Sequence, residues 1–523
     1  MENPQYARVV PSIQDFNRPV GSATRAPSST RSIQGQPFRS KKIDQPPVGE
    51  PTLAQATSTK SPRSTVQCYL LCLVVFIFYS RFFDVYLAQY KIPAIALGLT
   101  ALASLFSGHL LQSLQYRVSK LLMLFTGILI VSSVFSVWRG GSVELITSVW
   151  FKTLLVYVLI VSLIQDWRHS MQLARTMAWS IGVLSVLTYM YANGSSGRFF
   201  LQQGKLSNPN DLAQALLLGL PFLLMLYSQS ATLAPTRIAS LLFMGFLAVD
   251  FFHTGSRGGM ISAALCLPVV IATSSSKLKI GTALVLVAIL ASGTLAFSPA
   301  LRARYMTFFD SSVDEDTSEQ TARMSQTAVA SAMSRREVLL ESVKFTLLHP
   351  ILGVGPGMFA EAREREAARQ GKHAVFLLTH NTYTQVSSEC GIPALLIFVA
   401  ILVSTFRTAT RIHRFSSTRP GASMKAVAAV ASALRYSVLA YATTSLFLSV
   451  AYQALLPTLA GMVVALEYSV ARQLAAPVSS PVPVQPPITA AALMTVPAMP
   501  VVGYATRLKS KFRENTLASR PTI

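Results

Sequence analysis

Residues 377–402 read LLTHNTYTQVSSECGIPALLIFVAIL. The first half is polar and carries His380, Asn381 and Glu389. A Gly-Ile-Pro break follows at 391–393, and the remainder is purely apolar. Such an apolar run is a membrane helix in the making, and its polar lip places a histidine at the membrane edge. The same character recurs along the chain. Of 523 residues, 51% are hydrophobic and only 13% charged, with mean hydropathy +0.45. Water-soluble chains carry nearer a quarter charged residues. Apolar runs of about 20 residues, each able to cross a hydrocarbon layer about 30 Å thick, recur between Val66 and Ser469. The fold class expected is therefore an all-α polytopic membrane protein.

Twelve spans are expected, at 67–88, 92–112, 119–137, 143–164, 172–192, 211–228, 237–253, 258–274, 279–298, 383–406, 426–449 and 452–470. Arg81 and Asp84 interrupt the first, where an i, i+3 pairing on one helix face would accommodate them. Residues 1–65 form a basic tail with nine Lys/Arg against four Asp/Glu, and no secretory signal is read there. Residues 471–523 form a second, Pro-rich basic tail. Between the tails lie spans one to nine (66–298), a long loop (299–381) and spans ten to twelve (382–470). Lys and Arg favour the cytoplasmic side. Both tails and the loop 407–425, with five Lys/Arg and no acid, are assigned there. That leaves the long loop, with ten Lys/Arg and ten Asp/Glu, on the outer face. Its segment 334–350 reads as an amphipathic helix with apolar residues at 339, 343 and 347 and with 338 and 346 alongside. Residues 361–373 read as a second, charged helix stopped at Gly371, and 309–326 as polar and mobile. The net charge of +23 suits attraction to anionic lipid headgroups rather than nucleic acid. Cys68, Cys72, Cys266 and Cys390 lack metal-site spacing and read as small hydrophobes facing the membrane.

Four separated pieces carry polar residues to the outer edge. LSNPNDLA (206–213) starts a helix, with Asn208 as a cap and Asn210 beside it. In TGSRGG (254–259), Ser256, Arg257 and Gly258 stand at a helix entrance. The planar fork of arginine suits phosphate oxygens there, and the glycines would let backbone approach a ligand. Arg335 and Arg336 precede HPILGVGPGMF (349–359), which holds Gly353 and Gly355. The fourth piece is HNTYTQVSSECGIPALLIF (380–398), with His380, Asn381 and the intramembrane Glu389, read as orienting a neighbour or as paired.

In this order the four pieces resemble the O-antigen ligase family, whose relatives include O-antigen polymerases and protein O-oligosaccharyltransferases. The resemblance covers about residues 200–400 by motif. It implies a glycosyltransferase of cell-surface polysaccharide biosynthesis in the bacterial inner membrane. A glycan would pass from undecaprenyl diphosphate to an acceptor hydroxyl at the outer face. It further implies that Arg257 and Arg335 hold the lipid diphosphate and that His380 takes the acceptor proton. Arg336 is one residue out of register and stays an alternative to Arg335. The family usually has an aromatic four residues past that arginine, where Leu339 stands here. The acceptor, whether lipid A-core, a growing polysaccharide or a protein, is left open, so polymerase and oligosaccharyltransferase readings stand beside the ligase. The chemistry stands without the resemblance: guanidiniums stabilise a diphosphate leaving group, and histidine is suited to deprotonating a hydroxyl. Neither cofactor nor metal is expected, and the acids 314–316 read as a solvated run. A transporter is the distant alternative, with Lys152, Asp250 and Glu389 marking an ion path.

Overall fold

The computed structural model describes residues 62–86, 90, 92–105, 114–192, 198–201, 206–273, 299–306, 319–373 and 376–475, and no strand occurs among them. The helices are α1 (Pro62–Ser80), α2 (Phe82–Tyr86), α3 (Ile92–Leu105), α4 (Arg117–Val134), α5 (Arg139–Leu163), α6 (Trp167–Tyr191), α7 (Pro209–Gln229) and α8 (Pro235–His253). They continue as α9 (Arg257–Thr273), α10 (Pro299–Met306), α11 (Glu319–Leu348), α12 (Phe359–Arg369), α13 (Thr382–Ser417), α14 (Ala422–Thr444) and α15 (Leu455–Ala475). Eight of them are long and apolar enough to cross a membrane: α4 to α8 and α13 to α15. Three shorter apolar helices fall on the expected first, second and eighth spans. The expected ninth span, 279–298, lies outside the described residues, as do 1–61 and 476–523 of the two tails, whose residues 62–65 and 471–475 belong to α1 and α15.

Packing distinguishes a central helix from peripheral ones. In α15, 89% of the apolar window is buried, against 28% in α8, so α15 is enclosed by protein and α8 faces outward. Leu241 and Leu242 on α8, Leu224 on α7 and Leu396 on α13 are exposed apolar side chains of the kind a lipid surface covers. The interior is filled by Phe125, Trp150, Tyr157, Phe222 and Phe398, all fully buried. The four cysteines are free and buried in the bundle. They therefore face protein and not the membrane, because helix packing needs small side chains at close crossings.

Several local expectations are corrected. The first span breaks at Arg81, whose φ of +57 is incompatible with a continuing helix, so Arg81 and Asp84 do not share one helix face. The basic segment 407–425 is mostly helix, since α13 runs to Ser417 and pairs Arg411 with Glu467 of α15. The long-loop helix begins at Glu319, so the polar stretch is helical from there, while 307–318 lie outside the described residues. Its buried face is Val338, Ser342 and Phe345. The expected stripe of Leu339, Val343 and Leu347 is exposed, because α13 and the Val354–Phe359 segment cover the neighbouring face instead.

The break in α13 organises the site. Gly391 has φ +86, and Pro393 follows without an N–H, so the helical ladder opens there. The loop after α11 fills the gap. Val354 N donates to Ser388 O at 2.9 Å and Gly355 N to Glu389 O at 2.8 Å, while Ile392 N donates to Pro350 O at 2.7 Å. The approach leaves no room for side chains. A Cβ on Gly353, itself at φ +66, would lie 2.2 Å from Glu389 C. The same loop is pinned to α4 by Ser132 Oγ, which donates to Leu352 O and, at 3.2 Å, to Glu389 O.

Candidate functional site

His380 stands just before α13 in the left-handed region, at φ +50, which few non-glycine residues adopt. A clamp holds it there. Its N–H donates to Ser449 Oγ at 2.8 Å, and the Thr379 hydroxyl shares that oxygen at 2.9 Å. Asn381 caps α13, accepting from Tyr383 N at 2.9 Å and Thr384 N at 3.1 Å. Thr382 closes the clamp: its N–H donates to Ser445 O at 2.8 Å, and its hydroxyl donates to Leu448 O at 2.6 Å. The connection between α14 and α15, residues 445–454, thus fixes the histidine. Burial first, and the charge of Arg335 second, hold the imidazole down to about 4.

Arg335 lies on α11 and is half-buried, with its Nε enclosed and without a hydrogen-bond partner among the described residues. Burial and then Arg257 lower its pKa. Arg336 is exposed, so of the two neighbours only Arg335 acts on His380. α12 braces this part of α11 through Arg363, which pairs with Glu337 at 3.0 Å and with Glu341.

Arg257 begins α9, and its setting explains the first two motifs. Asn208 caps α7, accepting from Asn210 N at 2.9 Å and Asn210 Nδ2 at 3.0 Å. Asn210 Oδ1 accepts from Ser256 Oγ at 2.8 Å, tying the start of α7 to the residue before Arg257. Gly258, expected to let backbone approach a ligand, is also a packing glycine. A Cβ there would lie 2.7 Å from Phe447 Cβ, so this glycine lets α9 pack against the 445–454 connection. Asn208, Asn210, Ser256 and Gly258 are therefore the frame that brings Arg257 to the end of the bundle where His380 sits.

Residues 239–399 match the family described as O-antigen ligase. The stretch contains Arg257, Arg335 and His380 together with the interlock around Gly391. Residues 239–399 carry an O-antigen ligase domain. Comparison with curated proteins gives no match. The O-antigen ligase domain points to a membrane enzyme of glycan transfer in polysaccharide biosynthesis, which agrees with the membrane-spanning helices.

Within and beside the O-antigen ligase domain stand two arginines that the sequence did not single out. Arg198 Nε donates to Thr254 O at 2.7 Å, and Arg304 Nε donates to Gly255 O at 2.9 Å. Burial first, then Arg304, with Arg335 and Arg257 adding, holds Arg198 down to about 9. Burial first, then Arg257, lowers Arg304 to about 10. Both remain cationic near neutral pH. Arg198, Arg257, Arg304 and Arg335 thus form one cationic cluster with His380 at its edge. Tyr305 backs it, donating to Phe252 O at 2.9 Å. Arg302 and Arg304 look alike in sequence, and Arg198 bears no fixed spacing to Arg257, so only the fold distinguishes them.

Glu389 is buried inside α13, where Gly357 N donates to its Oε2 at 2.9 Å and Tyr452 Oη at 2.7 Å. It orients the loop of Gly353 and Gly355 rather than facing the arginines. Of the residues expected on an ion path, Glu389 is engaged in this way, and Lys152 lines a cavity of about 150 Å³. That cavity, between α1, α5, α6, α7 and α15, is walled mainly by apolar side chains and carries Asp211 and Gln214. Among the described residues, no three His, Cys, Asp or Glu side chains are grouped as metal ligands.

Proposed function

We propose that this protein transfers a glycan from undecaprenyl diphosphate to an acceptor hydroxyl at the outer face of the bacterial inner membrane. The observation that carries this reading is the largely enclosed arginine cluster with a clamped histidine at its edge. A diphosphate placed against Arg257 and Arg335 meets charge-assisted donors that water has largely left. The acceptor oxygen attacks the anomeric carbon. As the new C–O bond forms, the bond to the diphosphate breaks, and its electron pair leaves with undecaprenyl diphosphate. Attack opposite the leaving group inverts the anomeric carbon. The hydroxyl proton passes to His380.

The electrostatics favour this order of events. Before a donor binds, burial and then Arg335 keep His380 neutral, able to accept a proton but a weak base. A bound diphosphate offsets the charge of Arg335 and so raises the basicity of His380 when the donor is in place. Hydroxyl deprotonation is thereby coupled to donor binding. The clamp supplies the orientation that such a transfer needs.

Deleting the gene in its host and extracting the lipid-linked glycans tests the reading. Finished polymers stranded on undecaprenyl diphosphate, with none on the final acceptor, are expected of a ligase. Accumulated single repeat units would instead assign a polymerase, and an unchanged lipid pool would overturn glycan transfer.

A further inference from the structure

The end of the bundle away from His380 holds another enclosed arginine. Arg435 lies on α14 and keeps only 4% of its surface exposed. Its Nη2 donates to Tyr436 Oη at 2.7 Å, with the guanidinium 4.5 Å over that ring. Its Nε is enclosed without a hydrogen-bond partner among the described residues. The acids at this end are engaged elsewhere. Glu467 pairs with Arg411, and Asp166 accepts from Arg168 N at the start of α6 and from Gln473 Nε2 at 2.9 Å. Residues 274–298, which follow α9 in the chain, contain Lys277 and Lys279 and no Asp or Glu. An enclosed guanidinium without a carboxylate is a costly arrangement that an anion relieves.

The depth of Arg435 indicates which anion. His413 Nδ1 donates to Ala428 O at 3.0 Å, which aligns α13 with α14. His413 stands about 46 Å along α13 from Thr382, and Arg435 lies two turns, about 10 Å, back from Ala428. Arg435 is thus about 36 Å below the start of α13, while Thr273 ends α9 about 24 Å from Arg257. These depths bracket a hydrocarbon layer about 30 Å thick, so both residues sit where the headgroups of the opposite leaflet begin. Thr273 is exposed there, and its Oγ1 lies 3.0 Å from Tyr436 Oη. The same pair closes a seam between α9 and α14. Gly258 meets Phe447 at the other end of that seam, beside Arg257, and Cys266 Sγ lies 3.3 Å from Thr443 Oγ1 midway.

We propose that Arg435, Tyr436 and Thr273 bind the phosphate of an anionic phospholipid in the leaflet opposite His380, and that this lipid fastens the seam that ends at Arg257. The guanidinium supplies a charge-assisted donor and the two hydroxyls supply neutral ones. With no acid paired to Arg435, the site favours a headgroup of net negative charge over a zwitterionic one.

The test titrates the full-length chain in detergent with phosphatidylglycerol, phosphatidylcholine or inorganic phosphate, and follows thermal unfolding and native mass spectrometry. The wild type is expected to retain one phosphatidylglycerol and to melt higher with it, as a ligand of the folded state requires. Phosphatidylcholine should need at least about tenfold higher concentration for the same rise, the scale of a charged hydrogen bond. Arg435→Gln should likewise need at least about tenfold more phosphatidylglycerol. Arg414→Gln, at an exposed position on α13, should keep the wild-type response. A wild-type response in Arg435→Gln overturns the assignment, and so do equal losses in the two variants, which would mark diffuse attraction to a basic surface. A rise with inorganic phosphate equal to that with phosphatidylglycerol overturns the lipid as its source. Should Arg435→Gln not fold, as judged by gel filtration, Tyr436→Phe decides. It keeps the ring under the guanidinium but loses the hydroxyl, so the response should weaken at least about threefold. An unchanged response there overturns the assignment equally. None of these readouts involves glycan transfer, so the outcome is independent of the lipid-diphosphate reading.

Discussion

Ser449→Ala removes a single oxygen that touches no proposed substrate, yet it should cripple turnover. Ser449 Oγ accepts from His380 N at 2.8 Å and shares a hydrogen with Thr379 Oγ1 at 2.9 Å. These contacts oppose the strain of a non-glycine residue at φ +50, which costs about 1–2 kcal/mol. Two lost hydrogen bonds at about 1 kcal/mol each, one leaving a half-buried N–H unpaired, shift the balance by about 2–3 kcal/mol. At about 1.4 kcal/mol per decade, the population with His380 in place falls roughly 10- to 100-fold. Arg257 and Arg335 come from other segments, so donor binding should hold. The assay is steady-state transfer by the purified variant in proteoliposomes, with kcat and the donor KM separated. A kcat lowered about 10- to 100-fold with KM within about twofold is the expected result. Wild-type turnover, or a loss confined to donor KM, would refute the reasoning that this clamp positions the histidine.

Four further outcomes follow from the same geometry. Arg335→Gln should reduce transfer at least about 100-fold while Arg336→Gln stays within about threefold, because only Arg335 is enclosed beside His380; equal losses would contradict the assignment. The acid limb of kcat/KM should fall near pH 4 rather than 6.5, since His380 is held down to about 4 and is lost as a base only as pH drops through that value. In Arg335→Gln the residual activity should show this limb displaced upward, because a cation that disfavours protonation is gone; a downward displacement would count against the reading. Gly353→Ala should lower thermal stability by about 3 kcal/mol or more, through a left-handed backbone and the loss of two loop-to-helix hydrogen bonds. Gly371→Ala, also at positive φ but with nothing within 4 Å of its Cβ, should cost only about 1 kcal/mol, and similar melting shifts for the two would refute the interlock.

The membrane class and the end-of-helix placement of His380, Arg257 and Asn208 were legible because each rests on local chemistry. Apolar length makes a span, and Asn-Pro or Gly-Pro punctuation marks its ends. Asn208 and Asn381 do cap helices, as their types suggest. What the chain could not reveal was contact between distant segments. The packing of Gly258 on Phe447, nearly 190 residues away, is one such contact. The Gly353 and Gly391 motifs read as separate punctuation, yet each fills the space the other leaves. The amphipathic helix was correct in kind, but of its apolar residues Val338 is buried while 339, 343 and 347 face outward. Periodicity identifies an apolar face without saying whether protein or lipid covers it. Arg198, Arg304 and Ser449 carry no local signal at all. Their meaning arises only when the turn at Gly255 and the connection after α14 fold against the domain.

The central claim is that His380 and the arginine cluster discharge a lipid diphosphate. The most direct measurement is the pool of undecaprenyl-diphosphate-linked glycan in a deletion strain complemented with wild type, His380→Ala or Arg257→Gln, at matched protein levels. The account predicts that wild type clears the pool while both variants leave it at the level of the deletion. Clearance by His380→Ala equal to that of wild type would contradict it.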